Sequence, residues 1–90
     1  MDKNHNQKEK DLDLKIETTQ GTWETIFNKT DKIQEVLQAV INHFGYSPDG
    51  KYELRTEANP DEILKQERTL VSYGIKDGDI LVFTDLGVAV

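Results

Sequence analysis

Leu12, Leu14 and Ile16 alternate with Asp13, Lys15 and Glu17. A period of two predicts a strand with one dry face and one wet face. Thr19-Gln20-Gly21-Thr22 follows as a turn, where glycine admits a positive φ. Trp23 to Asn28 predicts a second strand, with Trp23, Thr25 and Phe27 inward and Ile26 outward. A short turn between two such strands makes a hairpin.

The period then changes. Ile33, Val36, Leu37, Val40, Ile41 and Phe44 recur at the spacing of an amphipathic helix. Asp31 with Gln34 reads as a capping box at its start, with Thr30 as the other candidate cap. Gly45 suits the left-handed residue that ends a helix. After the loop Tyr46 to Gly50, the stretch Lys51 to Arg55 predicts a short strand, with Tyr52 and Leu54 facing away from Glu53 and Arg55. Glu62 to Glu67 predicts a helical turn or a short strand, anchored only by Ile63 and Leu64. The turn Lys76-Asp77-Gly78-Asp79 leads into a last strand, Ile80 to Thr84, and residues 85–90 run on as a tail.

The order is hairpin, helix, strand, irregular crossover, strand. The helix must pack over the hairpin. The closing strand then lies parallel beside the first, in the sheet centre. This predicts an α+β fold of the β-grasp kind: a mixed sheet of four to five strands on one main helix, residues 31–44. The polar stretch 1–11 has no apolar residue after Met1 and is expected to be a disordered tail. Residues 12–90 form the single domain.

Composition narrows the function. The net charge is −6 and falls on residues 12–90, because Lys3, Lys8 and Lys10 cancel Asp2, Glu9 and Asp11. Nucleic-acid binding is not expected, since it rests on cations that neutralise phosphates. Protein partners with basic surfaces suit such a domain. Cysteine is absent, so disulfide and thiolate chemistry are not available to the chain. No apolar run reaches the length of about 18 residues that a membrane span needs. The N-terminal stretch has no apolar core of a secretory signal. A cytoplasmic monomer is expected.

Candidate chemistry is sparse. No phosphate loop, metal cluster or nucleophile-base set is readable, so the chain is not expected to be an enzyme or to hold a metal or cofactor. His5 stands among Asn and Lys, where a solvated side chain is the ordinary outcome. His43 falls late on the helix, where a protonated imidazole meets the negative end of the dipole. Asp77-Gly78-Asp79 looks like a calcium-loop fragment but lacks the distal glutamate, and reads as a turn. Tyr73 is expected to pack on the loop and satisfy a backbone group. Trp23 is expected in the core or covering the hairpin. Lys29, Lys51 and Lys76 read as ordinary exposed lysines.

The run Arg68-Thr69-Leu70-Val71-Ser72-Tyr73-Gly74-Ile75 resembles the segment before the last strand of ubiquitin. The helix entry Asp31 to Val36 and the exit Phe44 to Gly50 resemble it too. The likeness covers residues 12–90 in order. Glu53-Leu54-Arg55, Tyr73 to Asp79 and the Gly-Val tail are similar to small bacterial ubiquitin-like proteins. Those are encoded beside ubiquitin-activating-like, conjugating-like and JAB-type peptidase genes. The final turn also resembles the ubiquitin-like component of type VII secretion systems.

The resemblance implies a protein modifier. Its C-terminal carboxylate would be adenylated with ATP, passed to a cysteine of a partner enzyme, and transferred to target proteins. Activating and conjugating enzymes and a JAB-type peptidase would be its partners. Gly87, Val88, Ala89 and Val90 would form the conjugation tail. Residues 85–90, if extended, span about 20 Å, enough to enter an enzyme channel. Aligned through Tyr73, Ala89 and Val90 stand where ubiquitin has its two terminal glycines, so trimming to Gly87 or another kind of terminus is implied. The pleat places Lys15, Glu17, Arg55, Val82 and Thr84 on the outward, partner-binding face. That face is mostly polar, which predicts weak binding to receptors of the eukaryotic type. A non-covalent interaction module, such as a secretion component, and a sulfur carrier are the other readings.

Overall fold

The alternating stretches fold as two strands, β1 (Asp11–Thr18) and β2 (Gly21–Asn28), in a computed structural model that describes residues 11–88. Of the expected tail, Asp11 begins β1 and residues 1–10 lie outside the described residues. The strands pair antiparallel without a break, from Asp11 opposite Asn28 to Thr18 opposite Gly21. The turn is therefore two residues, Thr19 and Gln20, shorter than expected. The Thr18 hydroxyl tightens it, accepting the Gln20 N–H at 2.9 Å and donating to the Gly21 carbonyl at 2.8 Å. The expected register of β2 is the observed one: Phe27 is buried, Trp23 is half-buried, and Ile26 is 62% exposed.

The helix α1 spans Ile33–Phe44, two residues shorter at its start than expected. Asp31 does not cap it. Its carboxylate accepts the N–H of Asn28 at 3.0 Å and closes the turn after β2. Thr30 is also engaged, donating to Asn28 Oδ1 at 2.7 Å. Lys32 holds the N-cap position, and the Glu35 carboxylate accepts the Lys32 N–H at 2.7 Å. Free N–H groups at a helix start need partners. Here the crossover supplies them: Ile33 donates to the Arg68 carbonyl at 2.8 Å and Gln34 to the Gln66 carbonyl at 3.0 Å. Gly45, at φ 74°, ends the helix in the left-handed conformation. In the last turn, His43 lies flat on Trp23, with ring centroids 3.9 Å apart and planes within 4°. Trp23 thus covers the hairpin, as expected, and does so through the helix.

Two further strands, β3 (Gly50–Thr56) and β4 (Ile80–Val88), complete a sheet of order β2-β1-β4-β3. β1 and β4 are parallel in the centre, and each has an antiparallel neighbour. Four strands on one helix is the arrangement that the period changes predict. The dry face of the sheet gives Leu14, Ile16, Leu54 and Leu81, which meet Ile33, Val36 and Val40 of α1 in one core. Each such side chain, fully removed from water, stabilises the fold by about 1.5–3 kcal/mol.

The crossover forms neither the helical turn nor the short strand expected at 62–67. Leu64 is buried and its N–H donates to the Leu54 carbonyl at 2.9 Å, while Ile63 is 50% exposed. One anchored residue fixes the path without a regular element. A short 3₁₀ turn, Val71–Tyr73, follows. The Tyr73 hydroxyl accepts the Lys65 N–H at 2.7 Å, and the Arg68 guanidinium lies 4.1 Å from the ring centroid. The expected role of Tyr73, fastening the loop to itself, is therefore observed. Tyr73→Phe should lower stability by about 1 kcal/mol. That would appear as a lower urea midpoint at unchanged slope.

Candidate functional site

The outward face of the sheet is set by register. Glu17 lies beside Val82, and Val82 beside Arg55, in one row across three strands. Lys15 lies beside Ile80 in the next row. Thr84 lies beside Glu53. All five residues expected on this face are there. Glu17, Arg55, Val82 and Thr84 are half-buried and Lys15 is exposed.

Arg55 is less available than its charge suggests. Its guanidinium grips Glu53 through two nitrogens, at 2.8 and 2.7 Å, and donates to the Pro60 carbonyl at 2.8 Å. It clamps the crossover to β3. The pairing was readable in part, because an acid and a base two apart on a strand share a face. The Pro60 contact was not, because it depends on where an irregular segment passes. Ile80, half-buried beside Lys15, also belongs to this face. The face is a narrow apolar strip, Ile80 and Val82, within charged neighbours.

The strand β4 does not stop at Thr84. It continues to Val88, which pairs with Gly50 of β3. Tyr52 pairs with Asp85, so Leu86 and Gly87 together oppose the single residue Lys51. This is a β-bulge. Gly87 takes φ 93°, and its N–H donates to Asp85 Oδ1 at 2.8 Å. A positive φ there favours glycine. The bulge lets the strand regain its pairing at Val88, which is why the sheet extends further than the apolar pattern indicates. Of the four expected tail residues, Gly87 and Val88 lie in β4, and Ala89 and Val90 lie outside the described residues.

Leu86 is 56% exposed and borders a groove of about 730 Å³. Leu37, Gln38 and Ile41 of α1 form one wall, with Gly50 and Tyr52 of β3 opposite. The neighbouring phenols are fixed. Tyr52 donates to the Ser47 carbonyl at 2.6 Å. Desolvation, then the Asp85 carboxylate, holds its hydroxyl above the usual phenol range. At Tyr46, desolvation also acts upward, but hydrogen bonds with Thr18, Thr19 and Gln20 outweigh it and leave the group lowered.

The Asp77-Gly78-Asp79 turn serves the fold. Asp77 Oδ1 accepts the Asp13 N–H at 2.6 Å, and the Gly78 N–H donates to the Asp13 carbonyl at 2.7 Å. Among the described residues, no group of three His, Cys, Asp or Glu could hold a metal ion. Among them, no helix is long and apolar enough to cross a membrane.

The sequence matches no protein-family model and no curated protein. Solved structures do resemble it. A protein designed de novo on the basis of ubiquitin superposes with a TM-score of 0.73 at 22% identity, covering 89% of this chain and 94% of that one. The N-terminal ubiquitin-like domain of the 4931431F19Rik protein gives a TM-score of 0.75 at 15% identity, over 90% of this chain and 80% of that one. A ubiquitin-like domain of an Arabidopsis thaliana protein gives 0.70 at 15% identity, over 88% and 81%. At these identities the likeness concerns the fold alone. The fold is ubiquitin-like.

Proposed function

We propose that this chain is a ubiquitin-like protein modifier of the bacterial kind. Its C-terminal carboxylate would be activated with ATP by a partner enzyme and transferred to target proteins. The observation that carries the reading is the placement of Gly87. It sits in a ubiquitin-like fold, past the last core residue of β4, where the sheet ends. The structure adds a condition. β4 stays on β3 as far as the pair Val88 with Gly50, so this end must unzip before an enzyme can enclose it. The bulge makes that cheap, because a bulged ladder has fewer bonds to lose. A cut after Gly87 would remove the last pair, Val88 with Gly50, and leave the new terminus held by the bond from the Gly87 N–H to Asp85.

One observation favours a second reading, a non-covalent interaction module. Pairing of β4 as far as Val88 turns much of the expected tail into sheet. The two readings part at activation. The purified chain, ATP and an extract of its host should give a higher-mass adduct that reducing agent removes, as a thioester would. Adduct formation independent of ATP, or no adduct with the activating enzyme demonstrably present, would contradict the modifier and leave the module.

A further inference from the structure

Leu86 stands 56% exposed beside the groove between α1 and β3. The core does not reach it: on β4, Leu81 and Phe83 belong to the buried cluster and Leu86 does not. Next to this knob lies a hole. Gln34, Leu37, Gln38 and Ile41 recur at helical spacing and form one ridge of α1 along the groove. Leu37 is buried and Ile41 half-buried, so the ridge has apolar flanks. Across the groove, Tyr52 is held from two sides. Its hydroxyl donates to the Ser47 carbonyl at 2.6 Å, and its ring stacks on Phe83 with centroids 5.1 Å apart. A side chain on Gly50 would strike the Tyr52 ring, so glycine there lets Tyr52 stand as a wall. Both walls are fixed, and Leu86 stays uncovered.

The charges of this patch differ from those of the whole. The chain carries −6. The groove is lined by one acid, Glu35, one base, Lys51, and the amides of Gln34, Gln38 and Gln66. Acid and base balance, so a basic partner finds no excess of carboxylates here. The chain's own residues 1–10 bring Lys3, Lys8 and Lys10 but, after Met1, no apolar residue to fill the groove. A second copy has what the patch needs. It offers a leucine for the hole, a hole for the leucine, a base for the acid and an acid for the base.

We infer that this groove is a self-association surface: two copies pair about a two-fold axis, and each sets its Leu86 into the groove of the other. In such a pair every contact occurs twice, because the same patch serves both copies. Leu86 leaves water against Leu37, Ile41 and Tyr52, which supplies the attraction. Lys51 of one copy faces Glu35 of the other. Away from the patch the copies repel, at −6 each. The patch is one helix ridge and one strand end, well below the roughly 800 Å² that each partner gives to a stable interface. The pair is therefore weak, with a dissociation constant on the order of 0.5 mM, and the dilute chain is a monomer. Pairing covers the end of β4 and so withholds it from an enzyme; that consequence alone rests on the modifier reading.

The test follows the purified full chain from about 20 µM to about 2 mM by sedimentation equilibrium and amide NMR shifts. The expected result is a mass that climbs from monomer towards dimer, with shifts at Gln34, Gln38, Lys51 and Leu86 that grow along the same curve. Leu86→Asp should stay monomeric throughout. Leu86 lies outside the core, so an unchanged urea midpoint will show that this variant is folded. Lys51→Glu should weaken pairing about fivefold. Ile26→Ser, at another exposed apolar residue, should pair as the parent does. A mass that stays monomeric at the highest concentration, shifts centred on Val82 or Ile26, or unaltered pairing by Leu86→Asp would each overturn the inference. So would shifts at Gln34 and Gln38 produced at every concentration by ending the chain after Leu86, since its own last residues would then be the occupant. No enzyme or ATP is present, so none of these outcomes bears on conjugation.

Discussion

Leu14→Ala should lower stability by about 2–5 kcal/mol, a cost set by the cavity it opens. Leu14 is fully buried on β1, one of the two central strands, beneath the helix. Neighbours on both sides hold the strand in place, so the cavity cannot collapse fully. Domains of this size have only about 5–15 kcal/mol in total. Urea unfolding should therefore show a greatly lowered midpoint. Ile26→Ser, twelve residues along on the exposed side of β2, should stay within about 0.5 kcal/mol. Comparable losses at the two positions would mean that the register is wrong by one residue, since a slip exchanges the faces.

Ending the chain after Leu86 should abolish ATP-dependent adducts while leaving the fold intact. Among the described residues, no core side chain lies beyond Phe83. Among the described residues, those removed contribute the last pairing, Val88 with Gly50, and the bond from Gly87 to Asp85. Unfolding should shift by no more than about 1 kcal/mol. The functional effect should be complete, because the carboxylate that remains, on Leu86, has neither the glycine nor the reach that an enzyme channel requires. A non-covalent module would keep binding its partner unchanged. Adducts formed by the shortened chain would locate the working carboxylate elsewhere.

The parts of this fold that repeat with a period were legible in the sequence. β1 and α1 could be read from Leu12 to Ile16 and from Ile33 to Val40, because burial on one face writes the period into the residue types. The outward positions of Lys15, Glu17, Arg55, Val82 and Thr84 followed from the same pleat. What was hidden depended on distant partners. Asp31 has the chemistry of a cap, yet its carboxylate is taken by Asn28, and the crossover carbonyls of Arg68 and Gln66 serve the helix start instead. Leu64 looks like an element and is a single anchor. The bulge at Leu86 and Gly87 carries only a glycine as its mark, and a glycine near a chain end reads equally as a loose tail. That β2 ends the sheet is a matter of topology: nothing in GTWETIFN says that it lies outermost.

The central claim concerns the end of β4, and a junction answers it most directly. An N-terminally tagged copy, expressed in its host and recovered under denaturing conditions, should be digested and its linked peptides sequenced by mass spectrometry. The modifier reading predicts target peptides joined through a carboxylate at or beyond Gly87. Recovery of the chain only as a single unattached species, with an activating enzyme demonstrably present, would contradict it.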